Sequence, residues 1–118
     1  MDTTPPQNFE AGAAAFREGR AAEGAEYLRK AAFAGHAEAQ NQLARIYFAR
    51  LKTRTDLADL ESAAQGGDHV ALFVMAMCFL EGRLIDKDEE KAILALQYAA
   101  RHGNLMAAAM LRQESTGQ

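Results

Sequence analysis

The chain has 118 residues, enough for one domain with a real core and too few for two ordinary ones. Its 13 basic and 16 acidic side chains leave a formal net charge of −3, which argues against the electrostatic footprint of a nucleic-acid binder. Cys78 is the only cysteine, so an intramolecular disulfide and the cysteine-pair zinc sites are excluded.

Alanine richness, two prolines confined to the N-terminus and few β-branched residues predict helix almost throughout. The opening Met1-Asp2-Thr3-Thr4-Pro5-Pro6 is acidic and polar, unlike a secretory leader. Thr4, Pro5 and Gln7 have the pattern of a capped helix start, so a first helix is predicted over 6–18, ending at Gly19. Further helices are predicted over 20–34, 37–50, 55–65, 69–81, 87–102 and 105–113, in antiparallel pairs with a single closing helix, because the connections are short. Asp68 and Asn104 are placed to cap the helices they precede. The tail Glu114-Ser115-Thr116-Gly117-Gln118 reads as a polar natural end. The longest apolar run, Val70 to Leu80, has 11 residues against the ~20 that cross a bilayer, so no membrane partner is expected and a reducing, cytoplasmic setting is.

One phrase recurs: Ala31-Ala32-Phe33-Ala34-Gly35, Ala63-Ala64-Gln65-Gly66-Gly67 and Ala99-Ala100-Arg101-His102-Gly103. Each glycine is followed by a small residue four places on (Ala39, Ala71, Ala107) and a large apolar one eight places on (Leu43, Met75, Leu111). Tyr47 and Phe79 add an aromatic twelve places on in two copies. Such a period predicts a repeat architecture, in which each unit buries its apolar side against its neighbours. The units fall at about 6–35, 36–67 and 68–103, with a capping helix at 104–113 and the tail at 114–118. Ala31 and Ala63 lie 32 residues apart, Ala63 and Ala99 36, and the extra length is in Gly82–Asp88.

From Ala71 to Gly103 the chain resembles a Sel-one-like repeat, a relative of the tetratricopeptide repeat. Met75-Ala76 match the large-then-small pair, Phe79 the aromatic, Gly82 the following glycine, Ile85 the aliphatic loop position and Asp88 the loop aspartate. Lys91-Ala92 match the start of the second helix, and Ala99, Ala100 and Gly103 close the unit. Leu84 departs from a usual second glycine, and the first two units lack the long loop. The match is closest in the third unit, looser around Leu43-Ala44 and Tyr47, and loosest around Gly12-Ala13 and Phe16. The resemblance implies an all-α, right-handed α/α solenoid of about three helix-turn-helix repeats plus a C-terminal capping helix, recognising proteins or peptides without chemistry of its own. Small residues such as Ala44, Ala76, Ala92 and Ala100 would let helices approach, with Tyr47, Leu60, Phe79 and Leu96 filling the holes.

Residues that could carry chemistry point elsewhere. His36, His69 and His102 each lie within two residues of a repeat glycine, but one per unit spaces them too far apart to share a zinc ion, so the metal-dependent enzyme they would suggest is set aside. Asp86-Lys87-Asp88-Glu89-Glu90 lacks the ligand spacing of a calcium loop and suits a helix start capped by Asp86. No nucleophile elbow, P-loop, metalloprotease helix or dinucleotide fingerprint occurs, Cys78 sits in an apolar helix, and no catalytic residue, cofactor or metal is assigned. Arg45, Arg50, Lys52 and Arg54 form the one basic concentration, which either docks an acidic partner or solvates a helix C-terminus, where cations are favourable.

Helix 70–80 is apolar on every side, although a solenoid helix leaves one stripe for solvent. With Leu72, Met75, Ala76 and Phe79 as the inward stripe, Val70, Phe73, Met77 and Leu80 are left over. The family register puts these on a concave groove, continued by Glu38, Asn41, Arg45 and Phe48 in the preceding unit and by Glu10 and Arg17 in the first. Neighbouring helices, Met106 and Met110 of the closing helix, or a partner must cover them, since four exposed large apolar side chains would forgo about 6–12 kcal/mol. The expected function is a protein–protein interaction scaffold or adaptor binding a partner peptide or helix. The alternative is a homo-oligomer using the apolar face of helix 70–80 as its dimer interface.

Overall fold

The computed structural model describes residues 3–116 as seven helices: α1 Pro5–Arg17, α2 Ala21–Phe33, α3 Ala37–Arg50, α4 Arg54–Gln65, α5 His69–Glu81, α6 Glu89–Arg101 and α7 Leu105–Thr116. Met1 and Asp2 of the N-terminal stretch and Gly117 and Gln118 of the polar tail lie outside the described residues. No strand occurs among those described.

Local chemistry accounts for most boundaries. Thr4 and Gln7 form a capping box, the Gln7 N–H donating to Thr4 Oγ1 at 3.2 Å and the Thr4 N–H to Gln7 Oε1 at 2.9 Å. The repeated phrase is a repeated turn. Its glycine takes a left-handed φ of 96° at Gly35, 103° at Gly67 and 101° at Gly103. Each glycine N–H bonds the carbonyl of the second alanine, and the next residue's N–H bonds that of the first (His36 to Ala31 3.0 Å, Asp68 to Ala63 3.1 Å, Asn104 to Ala99 3.0 Å). His36, Asp68 and Asn104 then cap the following helix, accepting from the N–H of Ala39, of Val70 and Ala71, and of Ala107 respectively. The turn at Gly19 repeats the backbone bonds of the scheme, with Arg20 N–H on the Ala15 carbonyl at 2.8 Å, but Arg20 provides no side-chain cap.

Two boundaries correct the sequence reading. Asp88, not Asp86, caps α6, accepting from the Lys91 N–H at 3.0 Å, so the helix begins at Glu89 rather than 87. The Asp88 N–H is held by the Phe79 carbonyl at 2.9 Å, which keeps Gly82–Asp88 outside the helix. The last helix runs to Thr116, past the expected end at 113. Leu84, where the resembling pattern has glycine, adopts a φ of 64°.

The antiparallel-pair expectation fails in the middle of the chain. Helices α1 and α2 form a close pair, as do α5 and α6, but α3 and α4 hardly touch beyond the turn joining them. Helix α4 packs instead on α5, and α3 on α2 and α5. Helix α5 is thereby surrounded by α3, α4 and α6, with α2 against it as well. Its all-apolar sequence follows from that position: Val70, Ala71, Val74, Ala76 and Cys78 are essentially inaccessible.

What anchors α3 is polar. Gln40, fully buried, donates from Nε2 to the carbonyls of Ala32 at 3.0 Å and Gly103 at 2.9 Å, and Oε1 accepts from the Leu105 N–H at 2.8 Å. One side chain thus ties the end of α2 and the start of α3 to the α6–α7 turn.

Candidate functional site

The stripe expected to line a groove is split. Val70 is 0% and Phe73 7% exposed, so the N-terminal half of the stripe is core and offers no surface. The correction has a simple cause: α5 is packed from several sides, and a helix so placed has no stripe to spare. Met77 and Leu80, further along, are half-buried, as is Phe48 on α3; Glu38, Asn41 and Arg45 are exposed along α3. None of these residues lines the cleft between α4 and α6, the cleft between α3 and α4, or a smaller one on α2 at Glu23, Glu26, Tyr27 and Lys30.

The accessible apolar surface lies on another face of α5. Leu72, assigned inward by the sequence pattern, is half-buried, and with Met75 it floors a groove between α4 and α6. Ala64 and Gln65 of α4 and Leu94, Ala95 and Tyr98 of α6 complete a cavity of about 390 Å³. Leu94 is 64% and Tyr98 48% exposed, the largest such values among the described large apolar and aromatic side chains. Glu61 belongs both to this cavity and to one of about 290 Å³ beside Arg54, Leu57, Leu84, Ile85 and Asp86, so the two adjoin along α4. Sequence reasoning misses Leu94 and Tyr98 because α6 has an ordinary amphipathic pattern. The available signal is their i, i+4 spacing between Lys91 and Arg101.

Charge is arranged around this groove without neutralising it internally. Glu61 takes part in no ion pair among the described residues. On the α6 side the Lys91 ammonium lies 5.8 Å from the Phe79 ring centre and the Arg101 guanidinium 5.8 Å from that of Tyr98.

A second cleft, about 250 Å³, occupies the wedge between α3 and α4, lined by Tyr47, Arg50, Leu51, Asp56, Asp59, Leu60 and Ala63. Tyr47 donates its hydroxyl to Asp68, and its phenol is pushed far above the ordinary value by burial and by that carboxylate. Asp56 is held below its usual range by the N–H groups of Lys52 and Thr53 and the Thr53 hydroxyl. It completes the Thr53 capping box that opens α4, and so is already committed.

The histidines have separate surroundings. His36 stacks on Phe9 with ring centres 4.6 Å apart, and His102 on Tyr98 at 4.2 Å. His69 is buried under the edge of Phe33, its Nδ1 3.2 Å from Asn104 Nδ2 and its Nε2 unpartnered. Asn104 Oδ1 is committed to the Ala107 N–H, so its amide nitrogen faces His69 and Nδ1 is the acceptor. Burial lowers the His69 pKa; Asp68 opposes this and His102 adds to it. No group of three or more potential metal-ligating side chains is gathered among the described residues. Cys78 is buried, and burial pushes its thiol up. No described helix is long and apolar enough to cross a membrane.

Compared with protein-family models, with curated proteins and with solved structures, the chain gives no match.

Proposed function

We propose that the chain is a protein–protein interaction scaffold or adaptor without catalysis, built as a right-handed α/α solenoid of the Sel-one-like kind with about three helix-turn-helix repeats, the middle one opened between α3 and α4, and a closing helix. Supporting the repeat reading is the identity of the turns at Gly35, Gly67 and Gly103, which share glycine conformation, backbone bonds and a capping residue. The observation that carries the interaction reading is the groove between α4 and α6, where Leu94 and Tyr98 stand in solvent above half-buried Leu72. Apolar side chains grouped in a concave, polar-rimmed surface mark docking sites.

The groove residues replace Val70 and Phe73 as anchors, since a partner cannot reach side chains in the core. Selection of a displayed random-peptide library on the wild-type chain, with Leu94→Asp as counter-selection, tests the reading. Enriched peptides that bind the wild type and lose at least tenfold in affinity on folded Leu94→Asp support it. Binders indifferent to Leu94→Asp, or none at all, remove it.

A further inference from the structure

Resting on the groove reading, we infer that its occupant is an amphipathic α-helix of a partner protein carrying basic residues on one flank and acidic residues on the other. The groove follows α4, whose 12 residues make a channel of about 18 Å, the length of roughly three helical turns. Its walls and floor are helix surfaces, and no strand edge exists among the described residues for an extended peptide to pair with. Apolar side chains at helical spacing can therefore seat on Leu72, Leu94 and Tyr98 while every backbone bond stays inside the ligand helix.

The flanks follow from charge. Glu61, exposed midway along the α4 wall and without an ion-pair partner among the described residues, favours a cation opposite it, whereas Arg54 and Asp86 line only the end of the groove beside the Gly82–Asp88 loop. Lys91 and Arg101, exposed at either end of the Leu94–Tyr98 ridge outside the cavity lining and each over an aromatic ring, favour anions on the other side. The same charges disfavour a second copy of this chain. Two α6 ridges related by a two-fold axis would set Lys91 of one copy against Arg101 of the other.

Three synthetic helical peptides of about 16 residues with one common leucine face decide the matter by fluorescence anisotropy at low ionic strength. One carries lysine on one flank and glutamate on the other, the second glutamate on both, the third lysine on both. The mixed peptide is expected to bind the wild type about fivefold more tightly than either single-sign peptide. Glu61→Lys should reverse the order of the mixed and all-glutamate peptides, and Leu94→Asp should abolish binding of all three. Equal binding of the three, or an unchanged order on Glu61→Lys, overturns the charge assignment and leaves the groove reading standing. Groove-dependent library peptides that are extended, alongside no binding of the helical three, overturn the helix. Sedimentation showing a dimer that Leu94→Asp dissociates makes the occupant a second copy and overturns the inference. If neither the helical three nor any library peptide depends on Leu94, both readings fall.

Discussion

Glu18–Arg20 and Leu51–Thr53 each join consecutive helices with three residues, yet the first closes a tight hairpin and the second leaves its helices apart. The difference is conformational. Gly19 has a φ of 80°, and the turn is clasped by the Arg20 N–H on the Ala15 carbonyl, so the chain reverses at once. Leu51 and Thr53 are both extended and no positive-φ residue lies between α3 and α4, so α4 is carried away and docks on α5. Interhelical chemistry diverges accordingly. Between α1 and α2 the backbones nearly touch at Gly12, where an added Cβ would lie 3.1 Å from the Gly24 carbonyl oxygen. Between α3 and α4 lies a cleft. Connection length therefore does not decide pairing; a left-handed residue in the connection does.

An unpaired α3 must be held by something else, and Gln40 is that element. Gln40→Leu keeps the size and removes three hydrogen bonds, leaving the Gly103 carbonyl and Leu105 N–H without partners. We expect it to cost about 3 kcal/mol in urea unfolding, more than any other substitution below. A loss below about 1 kcal/mol would mean that apolar packing alone positions α3. On the other side of the comparison, Gly12→Val places branched carbons against backbone that cannot move aside, and should cost about 2 kcal/mol. An unchanged midpoint would show that α1 and α2 can separate freely.

Parts of this contrast are legible in the sequence and parts are not. The Ala-Ala-x-x-Gly phrase, Thr4, Asp68 and Asn104 specify their turns and caps locally, so spacing alone reveals them. The absence of glycine between Arg50 and Arg54 is equally visible, but the rule that short connections imply antiparallel pairs takes no account of it. Helix 69–81 is different in kind. A helix apolar on all sides contains no statement of which face is covered, so its pattern assigns Val70 and Phe73 to a surface that α5's neighbours fill. Gln40 looks like any other polar residue in Glu38-Ala39-Gln40-Asn41-Gln42, and its role depends on a turn more than sixty residues away.

The Gln40 anchor shares its turn with His69, which gives the α3 side of the molecule a pH dependence. Burial holds the folded pKa of His69 below the ordinary 6.5. The unfolded chain therefore binds the proton first as pH falls, and stability is lost between pH 6.5 and the lower folded value, being fully present above 6.5. Protonated Nδ1 would also face the Asn104 amide as donor against donor, weakening the cap of α7. Urea midpoints of the wild type should fall from about pH 7.5 to about pH 5.5, and those of His69→Gln should fall less. Equal falls would assign the dependence elsewhere. Asp56 cannot supply it, because its depressed pKa acts below 3.8.

The smallest expected effect has the opposite sign from the others and tests the comparison most directly. Ala63 of α4 lines the α3–α4 cleft beside Tyr47, Leu51 and Leu60, in a space of about 250 Å³ that no side chain fills. Ala63→Leu adds carbon to that space. Burying its extra apolar area contributes roughly 1–2 kcal/mol, and ordering the new rotamers costs about 0.5–1, so the net is a gain of about 0.5–1 kcal/mol. Adding carbon at Gly12 destabilises because the helices are already in backbone contact; adding it at Ala63 stabilises because they are not. Should Ala63→Leu lower the urea midpoint as Gly12→Val does, the wedge is closed in solution and α3 and α4 are a packed pair after all.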